Sequence, residues 1–306
     1  MNKDKILIIL RAMRVNQWIK NLVVFIPIIF SGKLFDGIFF FESLYAFVIF
    51  CVLSSTSYLL NDIIDYPFDR KHPVKKNRPI ASGELKIQEA TFIVFISVLI
   101  ILIASLLFSI GLFIVSFIFI LLHVGYSLYL KKHPVVDIFS ISLSFVLRIE
   151  AGSVATGFHV PIWLLMTIFF GSLFMASVKR HAELVTHGSG ARESLVSYNS
   201  HLLYFMTNTF ATATIIAYSF YTYFEPPPRI EFPIFRAFVD AFPGFEARKW
   251  MMISIPLIVY GISRYAQLLY DRAGGERPEK VITTDKPLII TIVLWGVVVI
   301  GLIYLL

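Results

Sequence analysis

The chain of 306 residues is poor in charge and in cysteine. Only 15% of its residues are Asp, Glu, Lys or Arg, whereas a soluble protein carries about 25%. Cys51 is the only cysteine, so no disulfide can form within the chain. Internal repeats and low-complexity tracts are also lacking, and no signal peptide is expected because the apolar run Ile6–Leu10 is too short. These deficits exclude a disulfide-bonded fold and do not fit an ordinary soluble protein.

Hydrophobic residues make up 57% of the chain, and the mean hydropathy is +0.77. They form nine apolar segments that are continuous, unlike the alternating strands of a membrane barrel, and each approaches the ~20 residues needed to cross a bilayer. The segments are 18–38, 41–63, 88–109, 111–130, 135–157, 161–182, 200–223, 250–271 and 287–306. We therefore predict an all-α membrane protein with about nine transmembrane helices, forming one integral-membrane domain over residues 1–306.

Two connections between these segments are distinctive. The third and fourth segments are separated only by a turn around Ser109–Gly111, which predicts a tight helical hairpin. The stretch Glu225–Lys249 contains five prolines and predicts a structured external loop.

The basic residues are distributed unevenly between alternate loops. With the N-terminus inside the cell, 20 of the 27 Lys and Arg residues fall on the cytoplasmic side and 5 on the outer side. This bias predicts a cytoplasmic N-terminus and an external C-terminus in the inner (cytoplasmic) membrane. We therefore expect the net charge of +7 to face the anionic surface of the lipid bilayer, and we expect no nucleic-acid partner.

Three carboxylates and an amide follow the second apolar segment directly, at Asn61, Asp62, Asp65 and Asp69. The three aspartates are spaced i, i+3 and i+7, which places them on one helical face. Hard oxygen ligands suit Mg²⁺, which binds substrate phosphates in turn. Against the alternative of a solvated loop, the cluster favours a membrane enzyme with Mg²⁺ as cofactor, acting on a diphosphate.

Pro67 lies inside this cluster and disfavours the helical conformation at Tyr66. We therefore expect Asp62 and Asp65 on the last helical turn and Asp69 on a kinked continuation.

Two cations are candidate phosphate ligands. Arg78 lies in a loop constrained by Pro79 and Gly83, and its guanidinium can bind phosphate in a bidentate manner. Lys20, beside Trp18, is an equally good candidate for phosphate binding or for an interfacial lysine that reaches the headgroups.

The fifth and sixth segments also contain charged residues. Asp137 and Arg148 are separated by about three helical turns and should lie near one face. An Arg at this depth costs about 2.5–3.5 kcal/mol, so it pairs with Glu150 or Glu183 or, as we favour, faces a polar cavity. Later, Lys179 and Arg180 precede Glu183, which suits either a helix-end salt bridge or an anionic substrate group.

These motifs resemble a known superfamily. The aspartate motif, followed by the sequence from Asn77 to Gly83, resembles the first signature of the UbiA-type intramembrane prenyltransferases. Motifs at 17–21, 147–152, 179–184, 264–266 and 278–288 resemble its decaprenyl-phosphate phosphoribosyltransferase branch. The resemblance implies nine transmembrane helices around a polar cavity open to the cytoplasm and to lipid. One departure is that Lys179 and Arg180 stand where prenyl-diphosphate users have a second Asp-rich motif.

The resemblance implies transfer of 5-phosphoribose from phosphoribosyl diphosphate to a polyprenyl phosphate. Asp62 and Asp65 would hold Mg²⁺ with help from Asn61 and Asp69, and Lys20 and Arg78 would stabilise the departing diphosphate. The residues expected to bind substrate are Asn61, Tyr126, Lys131, Asp137, Arg148, Lys179, Arg180 and Glu183.

Two other functions stay open at this point. A UbiA-type prenyltransferase would join a prenyl diphosphate to an aromatic or lipid acceptor. A cation transporter would need polar residues at several depths, and the third, fourth and ninth segments have almost none. A homo-oligomer is possible.

Overall fold

A computed structural model describes residues 3–72, 74–187, 198–225, 250–271 and 284–304. The regular elements in these ranges are helices. The α-helices are α1 Lys3–Ala12, α2 Ile26–Phe30, α3 Gly37–Ile64, α4 Tyr66–Asp69, α5 Ile87–Phe108, α6 Ile110–Leu128, α7 Val136–Thr156, α8 Ile162–His187, α9 Ser200–Phe224, α10 Ile255–Asp271 and α11 Lys286–Tyr304. The 3₁₀ helices are Val15–Phe25, Lys75–Asn77, Leu130–Lys132 and Met251–Ser254. Of the predicted loop Glu225–Lys249, all but the first residue lies outside the described ranges.

Eight of the nine predicted apolar segments coincide with helix over nearly their whole length, and the first does so in part. Within the described ranges, six helices are long and apolar enough to cross a membrane. They are Gly37–Ile64, Ile87–Phe108, Ile110–Leu128, Val136–Thr156, Ile162–Val185 and Lys286–Tyr304. The first predicted segment differs, because its apolar helix Val15–Phe30 is shorter, begins as a 3₁₀ helix and ends well before residue 38.

Polar caps determine where several of these helices begin. The Ser109 Oγ accepts a hydrogen bond from the Leu112 amide at 3.0 Å, which starts α6 one residue after α5 has ended. The Asn199 Oδ1 caps α9 in the same way, through the Leu202 amide at 2.7 Å. The predicted hairpin between the third and fourth segments is therefore confirmed.

The chain forms two compact units. The first contains Met1–Ile28, Asp36–Lys131 and Leu147–Phe158. Its core is made of apolar side chains from α3, α5, α6 and α7 that are almost fully buried, such as Phe50, Leu112 and Phe119. A second small core lies where α1 packs near the ends of α3 and α5. This unit contains the whole predicted aspartate cluster.

The second unit contains Ile29–Phe35, Lys132–Val146 and His159–Leu306. The helices α8 and α9 pack closely, and Leu173 and Leu203 are fully buried in their shared core. A further core joins α8 to α10 and α11 through Phe174, Tyr265 and Leu288.

Candidate active site

The aspartate cluster is built on two helices that almost run together. α3 ends at Ile64, Asp65 is its C-cap, and α4 begins at the next residue. Pro67 is the second residue of α4, where a missing N–H group costs no helical hydrogen bond. The expectation that Tyr66 leaves the helical conformation is therefore wrong. The Asp69 amide still bonds to the Asp65 carbonyl at 2.9 Å, so the carboxylates stand on successive turns.

Asp62 and Asp69 share one arginine. The Arg78 Nη1 lies 3.0 Å from Asp62 Oδ1 and 2.6 Å from Asp69 Oδ2, and both aspartates are nearly fully buried. The loop that holds Arg78 closes on itself through the Leu85 amide and the Pro79 carbonyl at 2.9 Å. Arg78 therefore lies in direct contact with the acidic motif.

Arg14, which belongs to no motif singled out in the sequence, also contacts the cluster. Its Nη2 lies 2.5 Å from Asp62 Oδ1, and its guanidinium lies over the Tyr58 ring, 4.9 Å from the centroid. The backbone of Arg14 is left-handed, with φ of 50°, a conformation that costs a non-glycine residue about 1 kcal/mol or more. The only indication in the sequence was that Arg14 lies three residues before the motif at 17–21.

Asp65 belongs to the other half of the cluster. Lys131 Nζ lies 2.5 Å from Asp65 Oδ1 and 3.1 Å from Asn61 Oδ1, and Asn61 Nδ2 donates to Asp65 Oδ2 at 2.9 Å. Lys131 was expected to bind substrate, and the structure brings it into direct contact with the acidic motif. Tyr126 lies half-buried near the end of α6.

The carboxylates of the cluster are paired with cations, and Lys75 adds positive charge near Asp69. Three aspartates, at 62, 65 and 69, are in contact with three cations, which are Arg14, Arg78 and Lys131. Burial raises the pKa of Asp69, and the adjacent Arg78 guanidinium offsets part of that rise. Removal of Arg78 would leave the buried Asp69 carboxylate poorly compensated, which is strongly unfavourable. A ligand that enters such a site must supply both signs of charge.

The oxygen atoms of the cluster are chemically suited to Mg²⁺. In the structure, however, its carboxylates form ion pairs with basic side chains. Asp62, Asp65, Asp69 and Asn61 offer hard oxygen ligands on consecutive turns, which this ion prefers. In the part of the chain that the structure describes, no three His, Cys, Asp or Glu side chains form a metal-binding group. The carboxylates would therefore have to exchange their contacts with Arg14, Arg78 and Lys131 for contacts with the metal.

Arg148 lies in polar surroundings made by the protein itself. It is 4% exposed, its Nε donates to Asn21 Oδ1 at 2.7 Å, and its Nη2 lies 3.3 Å from Ser54 Oγ. The Phe119 ring lies beneath the guanidinium at 5.0 Å. Lys20 precedes Asn21 on the 3₁₀ helix Val15–Phe25 and is half-buried.

A separate polar network lies within the second unit. Arg180 is 2% exposed, and it donates from Nε to Asp137 Oδ2 at 2.8 Å and from Nη1 to Glu183 Oε2 at 2.7 Å. The Tyr198 hydroxyl donates to Asp137 Oδ1 at 2.7 Å and accepts from the Val135 amide at 2.6 Å. Burial is also the main cause of the raised pKa of Tyr198.

Asp137 and Arg148 lie on the single helix α7, about three turns apart, and each belongs to a different network. The pair of Arg180 and Glu183 has the expected i, i+3 spacing, but its cation is buried and is not a surface charge at a helix end. Lys179, beside it on α8, is half-buried. Tyr198 was missed because no motif surrounds it.

One motif of the resemblance has a structural role. Arg264 Nη2 lies 2.9 Å from Asp285 Oδ2, and Asp285 Oδ1 accepts from the Leu288 amide at 2.9 Å. Asp285 thus caps α11 and ties it to α10. The segment 278–283 of the last motif lies outside the described residues.

Comparison with known proteins gave one family and several close relatives. The UbiA prenyltransferase family matches residues 24–281. The decaprenyl-phosphate phosphoribosyltransferase of Corynebacterium glutamicum is 34% identical, over 97% of this chain and 86% of its own length. The protein of that name from Mycolicibacterium smegmatis is 33% identical, over 94% of this chain and 89% of its own length. A UbiA homolog from Archaeoglobus fulgidus, solved bound to GPP and Mg²⁺, has the same fold, with a TM-score of 0.70 at 18% identity over 97% of this chain and 99% of its own.

Proposed function

Because the chain belongs to the UbiA prenyltransferase family, we propose that it transfers 5-phosphoribose from phosphoribosyl diphosphate to a polyprenyl phosphate and releases diphosphate. It is a membrane enzyme of the transferase class. The choice of substrates is supported by two relatives that are 33–34% identical over most of the chain and are named decaprenyl-phosphate phosphoribosyltransferase.

The observation that carries this proposal is the pairing of opposite charges in the aspartate cluster. A magnesium diphosphate supplies a cation to the carboxylates and anionic oxygens to Arg14, Arg78 and Lys131, so every buried charge keeps a partner when the ligand enters. A neutral substrate would leave the existing ion pairs in place. An isolated metal ion would displace the cations without giving them a new partner.

Asp62 and Asp65 would hold Mg²⁺, with Asn61 and Asp69 assisting. When bound, the ion neutralises charge that develops on the departing diphosphate. Arg78 and Lys20 would stabilise the same charge through hydrogen bonds to phosphate oxygens, and such charge-assisted bonds are stronger than neutral ones.

We assign the 5-phosphate of the donor to Lys179 and Arg180. Arg180 contacts Asp137 and Glu183, and these two carboxylates hold its guanidinium in place. Tyr126 remains a proposed contact to substrate.

The chemical step requires no strong general base. The acceptor phosphate monoester is largely ionised at neutral pH, because its second pKa is about 6. One of its oxygens attacks the anomeric carbon, the bond from that carbon to the diphosphate oxygen breaks, and diphosphate leaves with the electron pair. Attack opposite the leaving group inverts the configuration at this carbon.

We further propose that the chain forms a single domain with nine crossings of the inner membrane and a polar cavity that faces the cytoplasm. The N-terminus would be cytoplasmic and the C-terminus external. The support is the positive bias of 20 against 5 basic residues and the agreement of the nine apolar segments with helix, the first of them in part.

A second candidate is transfer of a prenyl group from a prenyl diphosphate to an aromatic or lipid acceptor. The name of the family and the structural neighbour bound to GPP and Mg²⁺ favour it. The two reactions share the diphosphate leaving group and differ in what is attached to it.

Purified protein with Mg²⁺ should be given polyprenyl phosphate together with either phosphoribosyl diphosphate or a prenyl diphosphate, and the lipid products should be weighed by mass spectrometry. We expect a product heavier by one phosphoribosyl group, and none when Mg²⁺ is chelated. A product formed only from the prenyl donor would replace this proposal by the second candidate.

A further inference from the structure

The 3₁₀ helix Val15–Phe25 is unusually long for its type. It covers 11 residues, whereas such helices seldom exceed about four. Burial along it repeats every three residues, as three residues per turn require. The exposed positions are Asn16, Ile19 and Leu22, the half-buried ones Gln17, Lys20 and Val23, and the most buried ones Asn21 and Val24, preceded by half-buried Trp18.

The buried stripe of this helix is anchored along its whole length. Trp18 Nε1 donates to Ser55 Oγ at 2.9 Å. One turn later, Asn21 Oδ1 accepts from Arg148 Nε at 2.7 Å and from Ser54 Oγ at 3.1 Å. Asn21 itself has no exposed surface. These contacts attach the helix to α3 and α7 by side chains of fixed register.

Gly152 provides the third anchor, one helical turn after Arg148 on α7. A Cβ atom at Gly152 would overlap the carbonyl oxygen of Val24, so only glycine allows the two backbones to approach this closely. The two motifs at 17–21 and 147–152 therefore pack directly against each other.

These anchors explain the choice of helix type. From Trp18 to Val24 a 3₁₀ helix makes two whole turns and keeps both residues on one side. An α-helix would rotate Val24 about 120° away, and it could not meet Ser55 and Gly152 together. The position of Lys20, the neighbour of Asn21, depends on the same register.

We propose that Asn21, Arg148 and Gly152 are positioning residues, which hold this helix in the 3₁₀ register so that Lys20 meets the diphosphate. Arg148 acts through Asn21 and does not touch substrate, in contrast to the role that the sequence suggested. The inference rests on the diphosphate site of the proposed function. On this view the diphosphate site also depends on buried residues whose hydrogen bonds go to other protein groups and not to the substrate.

A double-mutant cycle with Lys20 tests the inference. The affinity of purified protein for inorganic diphosphate with Mg²⁺ is measured by calorimetry, because diphosphate is the leaving group of either donor. Asn21→Ala should weaken binding about tenfold in the presence of Lys20, and less than about twofold in a Lys20→Ala background. Asn21→Ser serves as a milder variant if Asn21→Ala fails to fold.

Two glycine variants supply a second test and its matched control. Gly152→Ala should weaken diphosphate binding as Asn21→Ala does, and its effect should also vanish without Lys20. Gly171→Ala on α8 should bind normally, because its Cβ would meet only the Thr214 methyl group at 3.6 Å.

Equal losses in both Lys20 backgrounds would overturn the inference, and so would unchanged affinity in both Asn21→Ala and Gly152→Ala. If Asn21→Ala weakens diphosphate binding only when Lys20 is present, but the protein transfers no phosphoribosyl group, the inference holds and the proposed function is wrong. If the protein transfers phosphoribose but Asn21→Ala weakens binding equally with and without Lys20, the proposed function holds and the inference is wrong.

Discussion

At the residue scale, the ends of α3 and α4 hold three carboxylates that each contact a cation from a different part of the chain. Arg14 is 48 residues from Asp62 in sequence, and Lys131 is 66 residues from Asp65. Such contacts follow from the fold and not from local spacing. The aspartate motif and Arg78 could be predicted because their spacing and loop residues lie together in the sequence. The roles of Arg14 and Tyr198 could not, because their partners are remote.

The aspartates should differ in their effect on catalysis. Asp65→Ala and Asp62→Ala should lower kcat by about a thousandfold, because each removes a proposed ligand of Mg²⁺. Asp69→Ala should retain measurable activity that high Mg²⁺ partly restores, because this residue only assists. Initial rates across a Mg²⁺ titration give the comparison, and full activity of Asp65→Ala would remove the metal proposal.

Arg78 should control the ionisation of Asp69. Burial raises the Asp69 pKa and Arg78 lowers it, so Arg78→Gln should raise this pKa further. Because the ionised carboxylate assists in holding Mg²⁺, the acidic limb of the kcat/KM profile should move to higher pH. The exposed Lys71 offers a control, since Lys71→Gln should keep the wild-type profile. An unshifted limb in Arg78→Gln would show that Asp69 does not titrate in this range.

At the scale of the elements, the lengths of the apolar segments predicted the helices well. Most predicted ends of these segments lie within a few residues of the observed helix ends. The first segment was the exception. Its 3₁₀ form depends on Arg148 and Gly152, which lie far away in the sequence. Pro67 was also misjudged, because a new helix starting at Tyr66 accepts proline in its first turn.

The hairpin between α5 and α6 should depend on its cap. Ser109→Ala removes the bond to the Leu112 amide and should cost about 1 kcal/mol of stability. Ser219→Ala is the matched control, because its hydroxyl only bonds back to the Ile215 carbonyl within α9. Thermal unfolding in detergent should show a lower midpoint for Ser109→Ala alone, with catalysis retained in both. Equal midpoints would mean that the turn holds without the cap.

At the scale of the whole molecule, two findings describe a membrane transferase. They are the family match over residues 24–281 and the six helices of the described ranges that are long and apolar enough to cross a membrane. Composition and charge alone already predicted the membrane and the class of fold. They could not indicate that the aspartate cluster and the Arg148 contacts lie in the first compact unit and the Arg180 network in the second. That separation arises because α7 contributes Asp137 at its start and Arg148 two-thirds along its length to different surroundings.

The orientation of the chain should be visible by labelling. In a Cys51→Ala background, Phe35→Cys should react with an impermeant thiol reagent in intact cells, because this residue is 77% exposed and precedes α3 on the proposed outer side. Lys75→Cys should react only after lysis. The reverse pattern would move the aspartate cluster to the outer face.

The mechanism predicts which bond of the donor breaks, and one isotope measurement tests this directly. Phosphoribosyl diphosphate carrying ¹⁸O between the anomeric carbon and the diphosphate is incubated with enzyme, Mg²⁺ and polyprenyl phosphate. Attack at the anomeric carbon predicts that all of the label leaves with diphosphate and that the lipid product contains none. Label retained in a lipid product would mean that a phosphorus–oxygen bond breaks instead, and it would contradict phosphoribosyl transfer at this site.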